Sequence, residues 1–437
     1  MARRALIMVE GSMGNGPLYV QAARHLGLHP ITLAADPAQY GYLAGEGIDA
    51  IRVDTENLDA LIRECSRLRG TYRIAGITGF PTPDESVYAT VGDLCGYFDL
   101  PGPSPASVKQ CCDKFIQRQL LAEAGVPIPA YRLAVDAADV DTCAAEIGLP
   151  VVVKPAVGGQ SSTGVRLCRE VDEVAEHTAY LLGGKHIWRS SPRILVEEFA
   201  EGQFYCANTF GNDVIAIASA KFGPPPHFVF LEYTHPAPLT DVEYKRISNV
   251  SLSCLRALGL GWGPTNIDLL WTKHGPVVIE VNPRLAGAPE SKLIQLAYGV
   301  DLVTEHIKLV IGDKCCLQRR HSRTAAVRLL NADRDGNLDR IAGVSRAAAV
   351  SGVAEVELYQ EPVTPVVRRG DYRDCIGHVI ASSPSLAQTE VILQRAVDLI
   401  DISITPFAAH GEQKSASAQS RSGSSFAGRG NQAEDQS

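Results

Sequence analysis

The sequence predicts a mixed α/β and α+β chain: a doubly wound parallel sheet at the N-terminus, a strand-rich middle and a small C-terminal α/β unit. Three observations carry this. The first hundred residues alternate apolar strand runs with helical segments, residues 151–282 are dominated by strands joined by turns, and residues 320–408 return to strands with a helix. Strands interleaved with helices argue for a parallel sheet covered on both faces.

The elements follow in chain order. "RALIMVE" reads as a strand, "GPLYVQAARHLGL" as a helix, "HPITLAAD" as a strand, "ENLDALIRECSRL" as a helix and "IAGITGF" as a strand. The first turn holds Gly11, Gly14 and Gly16, with Asp36 ending the second strand. The spacing is not that of a dinucleotide fingerprint, and tight strand-to-helix turns need glycine in any doubly wound fold. The prolines of "LPGPSP" at 100–105 mark a boundary. A single helix is expected over 106–124, a second near 137–147, then the strand–loop–strand "VVVKPAVGGQSSTGVRL" and a helix near 171–182. Strands "RILVEEF", "QFYCANTF" and "DVIAIASAKF" come next, and the proline-rich residues 224–240 read as a loop. A helix at 241–258 leads into the strands "TNIDLLWT" and "PVVIEVN", and "AYGVDLVTEHIKLVIG" reads as one closing helix. Past residue 408 the chain is rich in Ser, Gly and Gln with one large apolar residue, too little to offset its ordering entropy, and a disordered tail is expected over 409–437.

Composition narrows the function. The 437 residues are 45% hydrophobic and 21% charged, the mix of a globular protein of two to four domains. A net charge of −8 offers no basic surplus to a nucleic-acid backbone. No run approaches the ~20 apolar residues of a membrane helix, and the N-terminal run reads as a first strand rather than an export signal. A cytoplasmic protein with no nucleic-acid or membrane partner is expected. The eleven cysteines include no C-x-x-C and read as reduced, packed thiols.

Two clusters carry chemistry. Lys154 ends an almost wholly apolar strand, where an unpaired ammonium is costly, so it must reach solvent or an anion. The loop after it offers backbone N–H groups and hydroxyls suited to phosphate oxygens, and the return strand makes it a hairpin flap. Further on, Asp268 and Glu280 interrupt two apolar strands turned by "KHG", and Asn282 and Arg284 follow Glu280 at intervals of two, on one side of the strand. Two carboxylates and an amide oxygen make an all-oxygen site of the kind Mg²⁺ uses beside phosphates. The alternative is an internal salt bridge with Arg284.

Taken together, the clusters resemble the ATP-grasp superfamily, whose two lobes clamp ATP between antiparallel sheets. The resemblance spans residues 1–408. It implies a pre-ATP-grasp α/β domain at 1–104, an ATP-grasp domain at 105–312 hinged near 197–200, and a C-terminal α/β domain at 313–408. It implies ATP and Mg²⁺ or Mn²⁺ as cofactors. "CDKFIQRQLLAEAGVPIPAY" resembles the first nucleotide-binding helix, with Lys114 as a phosphate-contacting lysine and Lys154 as the second. Gly158, Gly159, Ser161, Ser162 and Gly164 match the flap. "VEEFAEG" resembles the hinge, which would put Glu197 near adenine and ribose and the backbone of Glu198 and Ala200 on the adenine edge. Asp268, Glu280 and Asn282 match the metal ligands, and Arg284 the arginine at the reacting carboxyl. The sequence departs from the family in carrying Gln203 where a ribose-contacting carboxylate is common, a short Asp268, and no basic residue in the flap.

Within the superfamily, "FGPPPHFVFLEYTHPAPL" is similar to the substrate loop of L-amino-acid ligases. By that likeness Glu232 would contact a substrate amino group, His235 would stabilise a developing oxyanion, and Gly287 would keep an acceptor pocket open. The reaction implied is an ADP-forming ligation of a carboxylate to an amine, both amino acids, through an acyl phosphate; homodimers are frequent in this family, and the sequence leaves the oligomeric state open. A carboxylating enzyme of the biotin-carboxylase or carbamoyl-phosphate-synthetase kind and a non-catalytic nucleotide sensor remain as alternatives.

Overall fold

The structure, a computed structural model, describes residues 2–82, 84–158, 162–183 and 192–407. Arg3–Val9, His29–Ala34, Asp49–Arg52 and Tyr72–Gly79 form an all-parallel sheet in which Arg3–Val9 lies between His29–Ala34 and Tyr72–Gly79. Residues 5–9 are wholly buried, as a strand covered on both faces must be. Asp49–Arg52 and the helix Val87–Tyr97 add to the elements the sequence suggests.

The expected helix over 106–124 is two helices, Pro105–Cys112 and Lys114–Glu123. Asp113 separates them because its backbone is extended and its carboxylate caps the second helix, accepting from the N–H groups of Phe115 and Ile116. A bridge from Asp113 to Val157 then seats Lys114 at the start of the flap. The closing helix is likewise two, Ala288–Tyr298 and Leu302–Val310, divided at Gly299 in the left-handed region.

One lobe is an antiparallel sheet in the order Tyr131–Ala134, Ile194–Glu198, Val151–Pro155, Arg166–Cys168. The strand carrying Lys154 is therefore interior and its hairpin partner lies at the edge. The other lobe belongs to an eight-stranded antiparallel sheet. It runs Gly275–Asn282, Pro264–Thr272, Gln203–Phe210, Asp213–Phe222, Phe230–His235, Thr324–Asn331, Cys375–Ser383, Val353–Leu358. One correction follows: residues 224–240 are not all loop, since Phe230–His235 is a strand paired on both sides. Strands from beyond residue 312 complete the same sheet. Thr364–Val366, Gly336–Ala342 and Asp401–Thr405 form a separate three-stranded sheet. The expected tail lies outside the described residues, apart from its approach. Among the described residues no helix is long and apolar enough to cross a membrane.

Buried histidines make the fold acid-sensitive. Burial lowers both His306 and His177 to about 4, from an ordinary value near 6.5. His306 lies with Nδ1 2.5 Å from the Tyr19 hydroxyl, and His177 Nε2 is 2.9 Å from the Gly164 carbonyl. The folded state binds fewer protons than the unfolded one across this window. Each contribution is therefore complete above about pH 6.5 and lost as pH falls towards 4, at about 3 kcal/mol per histidine. The melting temperature should fall steeply over that range, and less steeply in His306→Asn.

Candidate active site

The helix Lys114–Glu123 turns Lys114, Gln117 and Arg118 to one side, as three- and four-residue spacing requires. All three are buried. The Gln117 amide clamps Val281, accepting from its N–H at 2.9 Å and donating to its carbonyl at 2.8 Å. Because Val281 lies between Glu280 and Asn282, this clamp fixes the lysine-bearing helix in register with the carboxylate strand. Lys114 Nζ then sits 3.1 Å from Glu280 and donates to the Gly158 carbonyl at 2.7 Å.

Glu197 is the hub of the flap lobe. Its carboxylate takes Lys154 Nζ at 2.5 Å through one oxygen and Arg118 Nε at 2.6 Å through the other. Burial opposes its charge, but Arg118 and Lys154 outweigh that and hold Glu197 below the usual carboxylate range. Burial pulls Lys154 below its ordinary value, against Glu197. Where the resemblance puts an adenine or ribose contact, both Glu197 oxygens serve buried cations. Arg118, 0% exposed, also donates to the Ile279 carbonyl and is a residue the sequence reading missed.

Asp268 and Glu280 are directly opposite across antiparallel strands, and Asn282 lies opposite Asn266, two residues along the same faces. Burial, with Glu280 and Glu290 nearby, pushes the Asp268 carboxyl up to about 8. Its Oδ1 is buried with no partner. Burial also raises Glu280, but Lys114 and Lys154 outweigh it and hold this carboxyl low. An orphaned carboxylate oxygen, a second carboxylate and an amide, all oxygen donors, fit a hard divalent cation. The salt bridge with Arg284 that sequence left open is not formed by either carboxylate. Arg284 instead meets Glu85 at 3.3 Å, just ahead of the helix Val87–Tyr97.

Glu232 and His235 do not share a face. Three residues apart on a strand, they point to opposite sides. Glu232, the residue implied as an amino-group contact, is engaged by its cross-strand neighbours, Lys221 at 2.8 Å and Arg328 at 3.0 Å. His235 is fully buried, with Nε2 3.2 Å from Glu290 and Nδ1 unpartnered. Asn208 holds the same Glu290 oxygen at 2.6 Å. Glu85 comes from a segment remote from the motifs, whereas Glu290 lies only three residues past Gly287, in the first turn of the helix Ala288–Tyr298, and was passed over.

At the flap, Gly158, Ser162 and Gly164 all adopt positive φ, while Gly159 and Ser161 lie outside the described residues. At the hinge, the Glu198 N–H donates to the Ala130 carbonyl, and among the described residues the Ala200 N–H has no partner. Gln203 spends its amide on the Phe204 and Ala220 carbonyls, at 3.1 and 2.9 Å. Gly202 is fixed by close approach: an added Cβ would stand 2.2 Å from the Trp271 carbonyl oxygen. Gly202→Ala should therefore displace the hinge backbone and lower the melting temperature by several degrees, roughly 1–3 kcal/mol. Gly287 is exposed, with only Pro289 within contact of an added Cβ.

Two lobes closing on lysines, an oxygen-donor cluster and an arginine define an ATP-grasp site, and sequence comparison agrees. The family described as "Carbamoyl-phosphate synthase L chain, ATP binding domain" matches residues 113–317, and "L-amino acid ligase C-terminal domain 2" matches residues 328–405. The chain has the ATP-grasp fold, and residues 113–317 match an ATP-binding domain of that superfamily. It is 60% identical to "Uncharacterized protein y4rH" of Sinorhizobium fredii (strain NBRC 101917 / NGR234), over 93% of this chain and 84% of that one. It is 26% identical to carnosine synthase 1 of Homo sapiens over 89% of this chain, but spans only 49% of that protein. Among solved structures, the L-amino acid ligase of Bacillus licheniformis superposes with a TM-score of 0.76 at 18% identity, covering 93% of this chain and all of that one.

Proposed function

We propose that the protein joins the carboxyl of one amino acid to the amino group of another, through an acyl phosphate, with release of ADP and phosphate. The observation that carries this is the set of charges converging on the Asp268–Glu280 pair: Lys114 on Glu280, Lys154 behind it on Glu197, and the Arg284–Glu85 pair beside it. Asp268, Glu280 and Asn282 would hold Mg²⁺ or Mn²⁺, which supplies neutralisation of triphosphate charge. Lys114, Lys154 and the flap backbone would bind the phosphates, and the Ala200 N–H would meet the adenine edge. Arg284, already bonded to one carboxylate, would exchange Glu85 for the substrate carboxyl and offset charge on the acyl phosphate. Freed from the guanidinium, Glu85 faces the same space and could take the ammonium group. His235, oriented by Glu290, would stand at the tetrahedral intermediate once its buried Nδ1 is uncovered. No covalent enzyme intermediate is needed, so positioning and charge carry the rate. The C-terminal family match and the likeness to L-amino acid ligase support amino acids as substrates.

The test is ADP and phosphate release across single and paired L-amino acids with Mg²⁺, with products weighed by mass spectrometry. A product lighter than its two parts by one water supports the proposal. Silence with every pair, in a protein that binds ATP, refutes it.

A further inference from the structure

A second cleft, of about 530 Å³, adjoins the flap at Ser162 and Gly164 and lies between the edge strand Arg166–Cys168 with its following helix Val171–Leu182 and the loop 367–373. In a chain of net charge −8 it is lined by four arginines, Arg166, Arg368, Arg369 and Arg373, and by His177 and His227. The acidic groups facing it are already engaged. Glu176 meets Arg166 at 2.9 Å, and Asp371 meets Arg373 at 2.5 Å. Asp374, behind the loop, accepts the backbone N–H groups of Arg369 and Gly370. Arg368 reaches only the Asp333 carbonyl at 3.1 Å, and the Arg369 guanidinium has no partner among the described residues. The Nε of Arg166 is buried and equally unpartnered.

The loop is also held where it is. An added Cβ on Gly370 would stand 2.3 Å from the His227 ring, so only glycine lets these two segments meet. Burial and the charge of Arg166 depress His227, and burial holds His177 neutral, so neither histidine adds charge at neutral pH. Guanidinium groups gathered at a cleft with free N–H donors match an oxyanion that accepts several hydrogen bonds at once. The volume lies in the range of small-ligand pockets.

We propose that this cleft binds a phosphate-bearing small molecule, held between Arg166 on the flap lobe and Arg368 and Arg369 on the C-terminal loop. The cleft adjoins the flap through Ser162 and Gly164 but shares none of Lys114, Lys154, Asp268, Glu280 or Asn282, so its arginines are distinct from the cations proposed for the nucleotide phosphates. Occupancy ties the edge strand to the C-terminal segment and should raise thermal stability.

The probe is inorganic phosphate, titrated calorimetrically into the full chain with its nucleotide site filled by ADP and Mg²⁺. Saturable binding in the millimolar range is expected, weakened about tenfold or more in Arg368→Ala/Arg369→Ala with ADP affinity unchanged. Arg166→Gln, which keeps a polar side chain, should weaken it in parallel. Phosphate affinity that survives both changes would place the anion at the nucleotide site instead and overturn the proposal. Absence of saturable binding at about 10 mM in the unmodified protein would overturn it as well.

Discussion

Glu280→Ala should lower the rate of ADP formation by about a thousandfold, roughly 4 kcal/mol of transition-state stabilisation. Glu280 serves two groups at once. It faces Asp268 across the hairpin, and it anchors Lys114, whose ammonium also reaches the flap at Gly158. Alanine removes a donor from the oxygen cluster and frees the lysine to pair elsewhere. Asn282→Ala, which leaves Lys114 anchored, should cost less. Because Glu280 is only partly buried, the variant should fold, and an unchanged circular dichroism spectrum and melting temperature would show that it does. Undiminished turnover would remove Glu280 from the metal set.

The second large effect concerns stability. Glu197→Ala should destabilise the flap lobe by about 3–5 kcal/mol, because it strands two buried cations that share one carboxylate. Arg118 and Lys154 would then repel each other with no anion between them, in a space that excludes water. Calorimetric unfolding would register this as a lower first transition. Glu197→Gln, which keeps a hydrogen-bond acceptor for one cation, should fall between the two. A shift below about 1 kcal/mol for alanine would mean that water already reaches the cluster.

The legible part of the site was the part that broke a pattern. Lys154, Asp268 and Glu280 each interrupt an apolar strand, and an ionisable side chain there needs a partner or a ligand. Their strands could be read from β-branched runs, and the hairpin pairing of Asp268 with Glu280 follows from the short "KHG" turn. Asp113 was hidden because helical residues continue on both sides of it, and only the backbone break exposes the cap. Phe230–His235 was masked by flanking prolines, although its own residues are aromatic and β-branched. Reading it as loop left Glu232 and His235 free to point together, whereas a period of two sends them apart. Glu85 could not be found locally, since the tertiary fold brings it to Arg284 from elsewhere in the chain, and Glu290, although close to Gly287 in sequence, reaches His235 only through the tertiary fold.

The strand bearing His235 is sandwiched between Asp213–Phe222, from the ATP-grasp region, and Thr324–Asn331, from beyond residue 312. The catalytic region and the C-terminal segment are therefore not interchangeable modules. Cutting the chain near 312 would leave Phe230–His235 as a bare edge with unpaired amide groups, open to pairing with other molecules. Chimaeras that trade C-terminal segments between related ligases must carry the matching register of Thr324–Asn331 with them. The register on both sides of Phe230–His235 thus couples the two halves of the sheet.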